Sequence, residues 1–160
     1  MKKSFTLFEI IFIVIIIVIL MSSVIPFYKN LKSRSIINHM SYIISHSISD
    51  AVVSASLKIK NGNSNFKLKD ILIIDKLEYT KDFKWHYTQR GKFNRYGTYS
   101  LRDESYSEPK VVLRITLDLN KRVIKYRINC KNIKISTHKK LRELCIKRWG
   151  DKDIKEEVQF

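Results

Sequence analysis

A single carboxylate, Glu9, stands at the head of an otherwise apolar stretch. It is the only charge between Phe5 and Phe27, and from Ile10 to Met21 every residue is apolar. A charge at mid-membrane costs on the order of 3 kcal/mol or more, so a carboxylate in such a run needs a partner or a place at the water interface. Cations make the second group of interest. The 160 residues carry 31 Lys and Arg against 15 Asp and Glu, a formal charge of +16. Eleven of the cations and one acid, Glu143, lie between Leu119 and Trp149. Such an excess attracts polyanions through salt-sensitive contacts with phosphates. Part of it follows from an Ile-, Lys- and Asn-rich composition with AT-rich codons, but that leaves the arginines and their clustering unexplained.

Upstream, Lys84, Arg90, Lys92 and Arg95 interleave with Trp85, Tyr87, Phe93 and Tyr96. Exposed aromatics can stack bases; here they are expected to be core, leaving the cations as a solvated face. His39 and His46 share a helix face but lack further ligands nearby, so they read as helix-surface histidines rather than a zinc site. Asp151, Asp153, Glu156 and Glu157 cluster in the tail, interleaved with Lys152 and Lys155. The loop pattern of a calcium site is absent, and the tail is expected to be solvated. The four glycines are scattered, and no nucleophile elbow, zinc-protease helix or carboxylate pair is visible. The expectation is a protein that is not an enzyme and that binds no metal and no cofactor.

These residues sit on elements that the pattern defines. Phe5 to Phe27 as a helix spans about 35 Å, enough for a bilayer core of about 30 Å. In lipid the backbone must satisfy itself, so this run is a helix. Pro26 removes a hydrogen bond to the Ser22 carbonyl and is expected to kink it. From Tyr28 to Ile59 apolar residues recur at three- and four-residue steps: Ile36, Ile37, Met40, Ile43, Ile44, Ile48, Ala51, Val52 and Ala55. This is the second half of the same long helix, its stripe packed on a sheet. Asn61-Gly62-Asn63 ends it.

Beyond it, Lys69 to Leu77 reads as a short helix with Asp70 as N-cap, or else as a strand. Phe83 to Tyr87 and Thr98 to Arg102 read as strands. Val111, Leu113, Ile115 and Leu117 alternate with Val112, Arg114, Thr116 and Asp118. After a turn at Leu119 to Arg122, Ile124, Tyr126, Ile128 and Cys130 alternate with Lys125, Arg127 and Asn129. That is an antiparallel hairpin with one buried face and with Arg114, Lys125 and Arg127 on the other. A last helix is expected from Ser136, as N-cap, to Trp149, with Gly150 as its stop. The fold class is α+β: a long helix, a three- to four-stranded antiparallel sheet and a C-terminal helix. The surplus cations Lys121, Arg122, Lys131, Lys134, Lys139, Lys140 and Arg142 join Arg114, Lys125 and Arg127 as the candidate polyanion-binding set, with DNA as the partner it suggests.

Lys2-Lys3-Ser4-Phe5-Thr6-Leu7-Phe8-Glu9, the apolar run and Pro26 together resemble the N-terminus of type IV prepilins and type II secretion pseudopilins. That family has a short basic leader, a cut before an aromatic residue, a glutamate fifth in the mature chain and often a proline at the twenty-second position. The register matches throughout, except that Ser4 stands where the family usually has glycine. The likeness covers roughly the first thirty residues. It implies cleavage between Ser4 and Phe5 by a prepilin peptidase, N-methylation of Phe5, and pairing of Glu9 with a neighbour's terminal amine during assembly. It implies residues 1–4 as leader, 5–27 as the transmembrane half of the helix, 28–60 as its amphipathic half and 61–160 as a pilin-like periplasmic head.

The implied location is a single pass through the bacterial inner membrane with the N-terminus cytoplasmic. Lysines flank both sides of the run, so the positive-inside rule does not decide the orientation. The implied partners are other pilins or pseudopilins and an inner-membrane assembly platform. The implied role is a minor pilin or pseudopilin of a type IV pilus or type II secretion-like machine, which in some systems serves DNA uptake. The alternative is a membrane-anchored polyanion-binding protein that does not assemble. In the oxidising compartment so implied, Cys130 and Cys145 form a disulfide between sheet and final helix, as some pilins have in a comparable place; free buried thiols are the other reading. His138 with both cysteines matches no common zinc spacing.

Overall fold

The computed structural model describes residues 7–74, 80–89 and 96–160. Helix α1 runs Leu7–Tyr42, a π-helical turn follows at Ile43–Ser47, and α2 runs Ile48–Lys60. Together they form one apolar-to-amphipathic rod, long and apolar enough at its first half to cross a membrane. The rod ends where Asn61, Gly62 and Asn63 turn their amides back onto the carbonyls of Leu57, Ile59 and Lys58. Gly62 supplies the positive φ of 80° that this reversal needs.

Five strands follow in a meander, β1 Phe83–Thr88, β2 Thr98–Asp103, β3 Lys110–Asp118, β4 Val123–Ile128 and β5 Ile154–Gln159, paired in sequence order and antiparallel throughout. Helix α3, Ile135–Trp149, stands between β4 and β5 in the chain. One core joins all of this. The helix stripe (Ile36, Ile37, Met40, Ile43, Ile48, Ala51, Ala55) packs with Trp85, Leu101, Leu113, Ile115 and Ile124 of the sheet and with Leu141 and Cys145 of α3. Nothing in α1 before Ile36 is buried; Leu7 to Phe27 stays exposed along its whole length. The α+β class and the long apolar helix therefore stand as read from the pattern.

Several local expectations are corrected. Lys69 to Leu77 is not a helix with Asp70 as its cap, nor is a strand described there. A single 3-10 turn occupies Leu68–Asp70, and the Asp70 carboxylate folds back to accept from the Lys67 amide. Leu68, Ile71, Leu72 and Ile74 enter the core from an irregular segment; residues 75–77 lie outside the described residues. The hairpin face is not Val111 with Leu113. The register pairs Leu101 with Leu113 but Arg102 with Val111, leaving Val112 as the extra residue of a bulge that turns it into the core. Cys130 does not end β4 but opens a 3-10 turn, Cys130–Asn132, in which the Asn129 side chain accepts from the Lys131 amide.

Ser136 is not the N-cap of α3. The N-cap is Lys134, two residues earlier, its own side chain makes no capping bond, and the buried carboxylate of Asp103 takes the Lys134 amide at 2.8 Å. An anion from β2 thus fixes the cap residue beside the positive end of the helix. The first turn then breaks at His138, whose φ of −129° and ψ of 39° are not helical. The tail after Gly150 is largely exposed but is not without structure: it returns as β5, hydrogen-bonded to β4 from Val123↔Gln159 to Ile128↔Ile154, which makes the sheet five-stranded.

His39 is not a plain surface histidine either. It faces the sheet, and the buried Trp85 donates its indole N–H to His39 Nε2 at 3.2 Å. That bond requires Nε2 to be unprotonated, and burial lowers the His39 pKa below its ordinary 6.5. The unfolded chain therefore takes up the proton first as pH falls. The bond's contribution is complete above about pH 6.5 and declines below it. Thermal unfolding of the detergent-solubilised chain should shift downward from about pH 7 to about pH 5. His39→Gln, whose amide oxygen still accepts from Trp85, should flatten that profile; an equally steep profile in the variant would assign the acid sensitivity elsewhere.

Candidate functional site

Ser4 and Phe5, the expected cleavage and methylation residues, lie outside the described residues. Glu9 occupies the first turn of α1, where the partial positive charge of the helix N-terminus favours a carboxylate. Pro26 lies inside α1 and leaves the Ser22 carbonyl without its helical donor. The serine hydroxyls do not repair that loss. Ser22 donates to the Ile19 carbonyl at 2.7 Å and Ser23 to that of Leu20 at 2.9 Å, one turn earlier.

The candidate cations separate into four places. Arg114, Lys125 and Arg127 share the outer face of the sheet; Lys121 and Arg122 sit in the β3–β4 turn; Lys131 and Lys134 lie in the connector to α3; and Lys139, Lys140 and Arg142 ride on α3. The structure brings the first three together, and it brings acids to them. Lys125 is held between Asp118 at 3.2 Å and Glu157 at 3.1 Å. Arg127 meets Asp153 twice, through Nε at 2.9 Å and through its terminal nitrogen. Lys131 reaches Asp151 at 3.2 Å, and Lys140 reaches Glu143 at 3.6 Å. Lys134 donates to the Ser105 carbonyl at 2.7 Å and lies over the Tyr106 ring.

The electrostatics follow from this pairing. Glu157 and then Asp118 raise the Lys125 pKa, while Arg127 and Asp153 stabilise each other's charge, raising the first and lowering the second. Burial, with the Glu156 carboxylate accepting from its hydroxyl, pushes the Tyr126 phenol up to about 12. Each of the four tail acids thus has a named partner on β4 or just after it. Among the described residues, the candidate cations Arg114, Lys121, Arg122, Lys134, Lys139 and Arg142 make no ion pair.

The register also sets like charges side by side. Arg114 lies opposite Arg127, and Arg127 opposite Lys155. Adjacent cations in a sheet repel, and Asp153 is the counter-charge that makes the row tolerable. Of the upstream mixture, Arg90, Lys92, Phe93 and Arg95 lie outside the described residues. Trp85 is core at 3% exposure, whereas Tyr87 and Tyr96 are only partly buried against it. No group of three or more His, Cys, Asp or Glu side chains among the described residues is placed to hold a metal ion.

Cys130 and Cys145 are disulfide-bonded, with Cα atoms 5.6 Å apart, tying α3 to the end of the hairpin. Both are fully or nearly fully buried. A loop closed by 15 residues restricts the unfolded chain by about 3 kcal/mol in the chain-entropy account. Cys145→Ser should lower the denaturation free energy of the head by about that amount, and α3 should be the element that loosens first in hydrogen exchange. Exchange in α3 as slow as in the native chain would show that packing alone holds the helix. No family model matches this chain, and no curated protein and no solved structure matches it.

Proposed function

We propose that this chain is a minor pilin or pseudopilin, a subunit that inserts in the inner membrane, is cut before Phe5 and joins a filament through its N-terminal helix. The observation that carries the reading is the agreement in register of Ser4-Phe5, Glu9 and Pro26 with an apolar helix half that the chain itself never covers. Leu7 to Phe27 remains exposed while the same helix from Ile36 on is wrapped by the head. A stretch that is apolar on every side needs lipid or other helices around it.

In this reading the prepilin peptidase and the inner-membrane assembly platform are its first partners, and other subunits its last. A carboxylate in lipid is costly, and in the assembled filament Glu9 gains from meeting the methylated amine of a neighbouring Phe5. That pairing sets the axial position of one helix against the next. The head, with its N-terminus-inside orientation, lies in the periplasm.

The second reading, an anchored polyanion binder that does not assemble, is favoured by one observation: six candidate cations (Arg114, Lys121, Arg122, Lys134, Lys139, Arg142) have no ion-paired acid among the described residues. Against it, Lys125 and Arg127, the cations best placed on the sheet face, are already engaged.

Two measurements separate the readings. Mass spectrometry of membrane-extracted protein should find an N-terminal methyl-Phe5; an intact Met1 in cells with an active prepilin peptidase rules out maturation. Glu9→Val should insert and fold normally, since the run becomes wholly apolar, yet be absent from filaments. Normal incorporation of that variant would falsify the registering role of Glu9.

A further inference from the structure

The base of the head forms a cationic cleft against the long helix. Arg34, Ile37 and Asn38 of α1 face Leu144, Lys147 and Arg148 of α3 across a cavity of about 450 Å³. Three of the six lining residues are cations and none is an acid. The neighbourhood offers little to neutralise them. The sequence carries no acid from Ile10 to Ser49, and Glu143, the acid of α3, is turned to Lys140. Lys147 and Arg148 also complement the negative end of α3, which accounts for their place in its last turn. Arg34, on a different helix and within a turn of Ile37, has no such reason to be there.

Height identifies the occupant. Arg34 follows the last apolar residue of the run, Phe27, by seven positions, or about 10 Å of helix. Headgroups extend roughly 5 to 8 Å beyond the hydrocarbon on each side, and an arginine side chain readily reaches down that far. The head comes down to the same level on the opposite side of α1, where Thr80 borders a cleft with Tyr28, Leu31 and Lys32. Lys32 in turn meets Asp82 at 3.3 Å, fixing the entry to β1 near the end of the run.

The geometry points to the Arg34–Lys147–Arg148 cleft as a binding site for the phosphate of an anionic phospholipid, phosphatidylglycerol being the probe of choice. It rests on the proposed membrane anchoring of Leu7 to Phe27, and adds that the head is seated on the bilayer rather than swinging above it. Two cations come from α3 and one from α1, so a headgroup in the cleft ties the two helices together at the membrane surface. Clustered cations immediately outside a membrane helix draw anionic lipid by this means.

The test uses the full chain in vesicles of phosphatidylcholine, with and without phosphatidylglycerol. Flotation with pure phosphatidylcholine vesicles reports anchoring alone. Native mass spectrometry after mild detergent extraction then reports the lipid retained. The expected result is one phosphatidylglycerol held in preference to phosphatidylcholine, with Arg34→Gln lowering the retained fraction about fivefold and Lys147→Gln with Arg148→Gln lowering it further. Lys58→Gln with Lys60→Gln, an equal charge loss some 36 Å up the helix, should leave retention unchanged. These glutamine variants keep much of the side-chain length, and an intact Cys130–Cys145 bridge checks the fold; should the double variant not fold, Arg34→Gln alone decides. A chain that floats but holds both lipids equally, or loses phosphatidylglycerol as much in the distant variant, overturns the site and leaves the anchor standing. A chain that does not float removes both. Retention of inorganic phosphate, supplied with pure phosphatidylcholine vesicles, without any preference for phosphatidylglycerol makes the cleft a site for the free anion and overturns the lipid assignment.

Discussion

One helix has to satisfy two surroundings, and the rest of the chain is arranged by that demand. Up to Phe27 every face of α1 is apolar, so no single partner surface within a chain of this size can cover it. From Ile36 the apolar residues withdraw to one stripe, and a stripe can be covered by a sheet. Each buried isoleucine there contributes about 1.5–3 kcal/mol if it is kept from water. The inner face of the sheet, the irregular segment through Leu72 and Ile74, and Leu141 of α3 all converge on it. The head is therefore a cover for half a helix, and the other half is left for lipid or for other helices.

The stripe runs on through the π turn at Ile43–Ser47: Ile36, Ile37 and Met40 lie before it, Ile43 and half-buried Ile44 within it, and Ile48, Ala51 and Ala55 beyond it, all in one core. Just before it, His39 receives the Trp85 indole, a polar contact between rod and sheet that fixes how β1 meets the helix.

The sequence pattern made the long helix, the alternating strands and the α3 region legible because each carries its own period. Where it fell short, the deciding contact came from far along the chain. Asp103 of β2 holds the amide of Lys134, the N-cap residue of α3, where local spacing alone favoured Ser136. Val112 joins the core through a bulge that depends on β2's register. β5 was missed because Lys155, Glu156 and Glu157 interrupt any apolar alternation, leaving only Ile154 and Val158 half-buried. It is held by the β4 edge and by charge rather than by burial. At the N-terminus the opposite holds: Glu9 is legible as an anomaly in composition, whereas the partner proposed for it belongs to another chain.

β5 also changes what the excess of positive charge means. Read along the sequence, the hairpin and final helix form a dense basic block. Folded, the tail acids return to that block: Asp151 to Lys131, Asp153 to Arg127 and Glu157 to Lys125. Exposed pairs of this kind add little stability, about 0.2–1 kcal/mol each, but they cancel the local field that would draw a polyanion to the sheet. Deleting the tail from Asp151 onward would therefore do two separable things, removing an edge pairing and releasing Lys131 and Arg127, while Lys125 keeps Asp118. What remains uncompensated is dispersed: Arg114 on the sheet face, Lys121 and Arg122 in the β3–β4 turn, Lys139 and Arg142 on α3, and the cations at the base of the head. Net charge alone thus says little about where a polyanion would bind, because acids offset part of the sequence cluster and the fold spreads the rest over separate places. The base beside the apolar helix keeps its charge, and the proposed membrane anchoring sets it at the height of the lipid headgroups.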